Sequence, residues 1–220
     1  MNKDLYQQLL KVARENSHPD DPSHDFGHIQ RVLNNAELIA EKEGGDLDIL
    51  VPAALFHDVI NHPKDDPRSD HASDESAEWT ANLLRSLPAY PQEKIPAVHD
   101  AVSKCSFKKA ITPNLLESKI LQDADGLEST GAVSILRTFA STGQMHRPFY
   151  NDEDPFCDHR EPQPVYFALD LFYSRLRKVA DRMHTQTAKE LAKRRHAFLA
   201  IFLNELRAEL PARGSQKANQ

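Results

Sequence analysis

Three short motifs in this sequence carry histidine or aspartate at spacings that can bring them to one point: Asp25-x-x-His28, His57-Asp58 and Asp123-x-Asp125. Imidazole nitrogens and carboxylate oxygens together suit divalent transition ions such as Mn, Fe, Co, Ni or Zn, and a set of two of each leaves coordination positions for water. A metal held in this way generates hydroxide near neutral pH. His28, His57 and Asp58, completed by Asp125 or by its neighbour Asp123, form such a set. Taken alone, each motif has a plainer reading. An adjacent His-Asp pair is most simply a satisfied core imidazole beside a capping carboxylate. It is the recurrence on three separate segments that points to a shared site.

The elements that must position these residues read as helices. From His28 to Glu43 the apolar residues Ile29, Val32, Leu33, Ala36, Ile39 and Ala40 follow helical spacing, and Gly44-Gly45 ends the run. His28 therefore falls at a helix N-terminus. A second helix is expected to begin near Pro52, after the N-cap candidates Asp46 and Asp48, and to run through VPAALFHDVI. It is apolar all round until His57-Asp58, which marks a central helix and sends the dipeptide into the interior or a cleft floor. Asp123 and Asp125 lie in ILQDADGLESTGAVSILRTFA, within one predicted helix over residues 114–140.

Further helices are expected over residues 3–15, 72–87, 93–106, 165–184 and 186–209. Leu and Ala far outnumber Val and Ile, glycines number seven, and no G-x-G-x-x-G or Walker-type loop occurs, so the fold class expected is all-α. The polar loop from Gly143 to Pro164 holds four prolines and has the character of a lid or a subunit contact. The tail ARGSQKANQ should be mobile. With no repeat or linker, the reading is one domain over residues 1–210 and a mobile tail over 211–220.

Composition removes several classes of function. With 220 residues, 40% hydrophobic and 27% charged, the chain suits a soluble globular protein, and no apolar run nears the roughly 20 residues of a membrane span. The first segment has neither the basic start nor the apolar stretch of a signal peptide, which makes the expected location cytoplasmic. Cys105 and Cys157 are the two cysteines, too few for a disulfide scaffold. A net charge of −6 disfavours duplex nucleic acid as a partner.

Taken in order, SHDFGHIQRV, AALFHDVINHPKDDPRSDHAS, SKILQDADGLES, DPFCDHR and MHTQTAKELAKRRHAFLAIFLNEL make the sequence resemble the HD-domain metal-dependent phosphohydrolase superfamily, whose signature is His … His-Asp … Asp. The likeness is to a small single-domain bacterial branch that includes nucleotide pyrophosphohydrolases. It implies an HD-domain helical bundle with a metal site between central helices. His28, His57, Asp58 and Asp125 match the family's four ligands, and the pattern favours Asp125 over Asp123; helical phase agrees, since Asp125 shares a face with Leu121 and Glu128. The chain departs from the branch at Gly126, where Arg is frequent, and at Cys105, where a His is expected.

One divalent metal ion is expected, with Mn, Ni, Co, Fe, Zn or Mg as candidates. His62, His71 and His99 would be needed for a second and read more simply as surface residues. Lys64 and Arg68, in the loop after the metal dipeptide, are candidates to bind substrate phosphate and to balance its charge in catalysis, with Asp58 accepting the attacking water's proton. Arg31 reads as a structural ion pair. Asp70, Asp74 and Glu75 suit the positive end of a helix dipole. The activity implied is hydrolysis of a nucleotide or another small phosphate ester or anhydride by metal-activated water. The alternative is a non-catalytic nucleotide-sensing or partner-binding module. A homodimer is compatible with either.

Overall fold

A computed structural model describes residues 1–18, 24–62, 66–106 and 109–210. Lys64 and the tail over residues 211–220 lie outside the described residues. The described chain is helical, with no strand among the described residues: α1 (Lys3–Glu15), α2 (Phe26–Glu43), α3 (Leu47–Phe56), α4 (Ala72–Arg85), α5 (Ile95–Ser103), α6 (Leu116–Gly126), α7 (Gly131–Gln144), α8 (Asp170–Ser174) and α9 (Gln186–Glu209). No described helix is long and apolar enough to cross a membrane. The described residues form two compact units, one of those within 1–128 with 183–189, the other of 129–182 with 190–210.

In the first unit α3 is the hub, packed against α1, α2, α4, α5 and α6. Its composition requires this: every residue from Leu50 to Phe56 is buried, so the helix has no solvent face beyond its first turn. The helix starts earlier than the sequence suggests. Asp46 caps it by accepting from the Asp48 N–H at 2.8 Å, and Pro52 sits mid-helix instead of in the first turn. A mid-helix proline supplies no N–H to the carbonyl four residues back. Here the buried Tyr90 hydroxyl donates to that carbonyl, Asp48 O, at 2.9 Å. Tyr90→Phe should therefore lower stability by about 1–2 kcal/mol by orphaning a carbonyl, read as a shifted urea midpoint with metal affinity unchanged. An unchanged midpoint would mean that water replaces the hydroxyl.

The segment Met183–Lys189 joins this unit through two carboxylates. Asp123 accepts from the His184 N–H at 2.8 Å and from the Thr185 N–H and hydroxyl, both at 2.7 Å. Glu43, at the end of α2, accepts from the Thr187 N–H at 2.6 Å and hydroxyl at 2.7 Å.

In place of one helix over 114–140, α6 ends at Gly126, a 3-10 turn spans Leu127–Ser129, and α7 begins with Gly131 at φ +67°. A side chain at Gly131 would meet Arg195 Cβ at 3.0 Å, so both its conformation and its surroundings call for glycine. In place of the one helix expected over 165–184, α8 spans Asp170–Ser174 and a 3-10 helix spans Leu176–Arg182, with the residues before and after them in turns or irregular structure. The second unit's core is Phe156, Leu169, Phe172, Leu176, Leu199 and Leu203. The proline-rich loop is pinned here by a buried ion pair. Asp170 accepts from both terminal guanidinium nitrogens of Arg160, Nη1 and Nη2, and from the Gln163 N–H, and Arg160 Nη2 also donates to Asp154 O at 3.0 Å.

Candidate metal centre

Local chemistry aims each candidate ligand. Asp25 caps α2, its carboxylate accepting from the His28 N–H at 2.8 Å, so Asp25-x-x-His28 is a helix start with the imidazole on the first turn. His57 follows the last residue of α3, where carbonyls lack helical donors. Its Nδ1–H donates to Ala54 O at 2.8 Å, which turns Nε2 away from the helix. Asp58 comes next, and the chain beyond it is held to α4, where Ser76 Oγ accepts from the Ile60 N–H at 3.1 Å. Asp125 lies one residue before the end of α6.

These four side chains meet. His28 Nε2 and His57 Nε2 are 3.2 Å apart. Asp58 Oδ2 lies 3.6 Å from the first and 3.4 Å from the second, and Asp125 Oδ1 lies 3.7 and 4.0 Å from them. His28 Nε2, His57 Nε2 and an Asp125 oxygen all fall within 4.8 Å of one another. Ligand atoms at roughly 2.0–2.2 Å from one ion stand roughly 3–4 Å from each other, which is the spacing seen. The imidazoles are buried, whereas the Asp58 and Asp125 side chains are 36% and 29% exposed, leaving an approach from solvent on the carboxylate side.

The donor set fits a cation. Both Nδ1 atoms face acceptors, Ala54 O for His57 and Glu128 Oε2, at 3.3 Å, for His28. Two neutral imidazoles bound in this way would set lone pair against lone pair at Nε2, an arrangement favourable only with positive charge between them. The electrostatics agree. Burial pulls the His57 imidazolium down, yet the charge and hydrogen bond of Asp58, then the charge of Asp125, raise its pKa to about 9. Surrounding protein pushes the Asp58 carboxyl up, and His57 and His28 override it, holding it well below the usual carboxylate range. Two carboxylates would balance a divalent ion, and two imidazoles tilt the preference from Mg toward transition metals.

Asp123 takes no part in this cluster, because its oxygens are spent on His184 and Thr185. Cys105 is buried, and burial, then the charges of Asp125 and Asp58, push its thiol well up, so it remains protonated beside the site. His62 pairs with Glu75 at 2.7 Å and His99 with Glu78 at 3.0 Å, while His71 stands at the N-terminus of α4. The Arg68 guanidinium is exposed and bonded to Asp66 in its own turn, Nη2 to Oδ2 at 2.7 Å. Glu128, which also receives Arg31 Nε at 2.8 Å, is the participant that sequence reasoning assigned no role.

Comparison with known proteins shows the family. The HD domain family matches residues 25–130, the span that contains all four candidate ligands. The chain is 33% identical over 192 residues to the uncharacterized protein YpgQ of Bacillus subtilis, covering 86% of this chain and 85% of that one. The crystal structure of Bacillus subtilis YpgQ in complex with ADP superposes with a TM-score of 0.71 at 28% identity, covering 94% of this chain and 96% of that one. An HD-superfamily hydrolase from Bacillus thuringiensis gives 0.72 at 28% identity, covering 94% and 97%. With His28, His57-Asp58 and Asp125 converging inside the matched span, the chain belongs to the HD-domain phosphohydrolase superfamily.

Proposed function

We propose that this protein hydrolyses a phosphate ester or anhydride, with a nucleotide as the favoured substrate, using one divalent transition metal held by His28, His57, Asp58 and Asp125. The observation that carries the reading is the convergence of two imidazole Nε2 atoms and two carboxylates within 3.2–4.0 Å of the imidazoles. The complex of Bacillus subtilis YpgQ with ADP supports a nucleotide as ligand. Bound there, a divalent ion supplies Lewis acidity, polarising a phosphoryl oxygen and lowering the pKa of water.

The chain's own groups divide the remaining work. His28 and His57 are fixed donors on a buried floor. Asp58 is ionised and its side chain reaches solvent, so it is the carboxylate placed to accept the proton of the attacking water. Arg68 bonds Asp66 as an exposed pair, and such pairs are weak, so its guanidinium is free to exchange that carboxylate for a substrate phosphate in a bidentate contact. Lys64 lies in the same loop and is assigned the same task.

The decisive experiment is turnover by the metal-loaded full chain against nucleoside tri-, di- and monophosphates, inorganic pyrophosphate and sugar phosphates. Release of phosphate or pyrophosphate that stops on chelation supports the proposal. Tight nucleotide binding with no turnover of any compound would instead make the protein a nucleotide-sensing module. Arg68→Ala and Lys64→Ala should each leave metal content intact and lower kcat/KM about ten- to hundredfold, the loss typical of one charge-assisted contact. Wild-type kinetics in both would place the phosphate clamp elsewhere.

A further inference from the structure

We infer that Glu128 is a positioning residue for the proposed metal centre: it fixes the tautomer and rotation of His28, and Arg31 in turn fixes Glu128. This rests on the metal reading above. The two histidines solve the problem of aim differently. His57 follows the last residue of α3 and uses a carbonyl of its own helix, Ala54 O. His28 stands in the first turn of α2, where no preceding helical turn offers an acceptor, so the partner for Nδ1 must come from another element.

That partner is Glu128, in the 3-10 turn that follows α6 and three residues beyond Asp125. Its Oε2 lies 3.3 Å from His28 Nδ1 and accepts from Arg31 Nε at 2.8 Å. A carboxylate can only accept, so it requires the N–H at Nδ1 and leaves the Nε2 lone pair for the site. Arg31 is one turn beyond His28 on α2, and both side chains therefore reach the same end of α6. The Glu128 side chain is 2% exposed, and a buried carboxylate needs a paired cation. Arg31, 37% exposed, provides it from the rim. One short segment, residues 125–128, thus supplies a candidate ligand and also orients another.

The test is Mn(II) affinity of the full chain, read by water-proton relaxation so that weak binding is also measured. Glu128→Ala should weaken Mn(II) binding by roughly 10–100-fold, the loss typical of an outer partner of a metal-ligating histidine. In a His28→Ala background the same substitution should weaken it no further, because there is no imidazole left to aim. A purely structural role would produce the same loss in both backgrounds, and that outcome, or Glu128→Ala binding within about twofold of wild type, overturns the inference. If Glu128→Ala does not fold, Glu128→Met, of similar length but without an oxygen to accept the Nδ1–H, carries the test. A several-fold loss that disappears in the His28→Ala background supports positioning, and wild-type affinity overturns it. His57→Ala serves as the reference. If it retains wild-type Mn(II) affinity, the metal reading itself fails; if it loses the metal while Glu128→Ala does not, the inference alone fails.

Discussion

His57→Ala and Asp58→Ala should each lose metal and hydrolytic activity while keeping the far-UV circular dichroism of the wild type. Both residues follow the last residue of α3, so their truncation interrupts no helical hydrogen bond. What they lose is a donor to the shared site, which should weaken metal binding by more than the roughly 10–100-fold expected for a partner outside the coordination shell. His57→Ala also strips Ala54 O of its donor, a stability loss of about 1 kcal/mol that leaves the fold in place. Metal content by elemental analysis, set beside turnover on the best phosphate substrate, decides the matter. Either variant retaining wild-type metal and turnover would mean that the four donors are a polar cluster without an ion.

The second large effect separates two aspartates that sit two positions apart. Asp125→Asn should forfeit most metal affinity and little stability, since its side chain is 29% exposed and points to the imidazoles. Asp123→Asn should do the reverse. Its buried oxygens accept three hydrogen bonds from His184 and Thr185, and an amide would turn N–H groups toward N–H and O–H donors. The expected loss is about 2–4 kcal/mol, a fall in Tm of roughly 5–15 °C for a chain of this size. Thermal melts and metal titrations on the two variants should therefore rank them in opposite orders. The opposite assignment, with Asp123→Asn losing the metal, would require α6 to be rotated about its axis.

Much of this arrangement is legible in the sequence where the signal is local. The apolar spacing in α1, α2 and α9, the Asp25 cap, and the apolar run over residues 49–56 of α3 are each written in a few consecutive residues, and they set His28 on a first helical turn and His57-Asp58 at the end of a central helix; that the two meet is what the family resemblance implies. The errors come from distant partners. Pro52 looks like a helix start because nothing nearby reveals that Tyr90 will serve the carbonyl it leaves free. The break after Gly126 hides inside a continuous apolar pattern, since both α6 and α7 keep helical spacing. That the loop with four prolines, read as a lid or a subunit contact, is tied down by the Arg160–Asp170 pair is likewise invisible until the chain folds. Glu128 escapes notice for the same reason: its meaning depends on His28 and Arg31, far away on α2.

The carboxylate latches at Asp123 and Glu43 also bear on when the site can form during synthesis. The helices that carry His28, His57 and Asp125 are all complete by residue 126, yet Asp123 and Glu43 receive donors from residues 184 to 187. Until that segment leaves the ribosome, water must stand in for the donors that Asp123, two residues from Asp125, has in the folded chain. Contacts of such long sequence separation slow folding. A recombinant piece cut to the matched span of residues 25–130 would carry every candidate ligand and still lack the donors that seat α6. The span that identifies the family is thus shorter than the span whose contacts hold the helices of the candidate site.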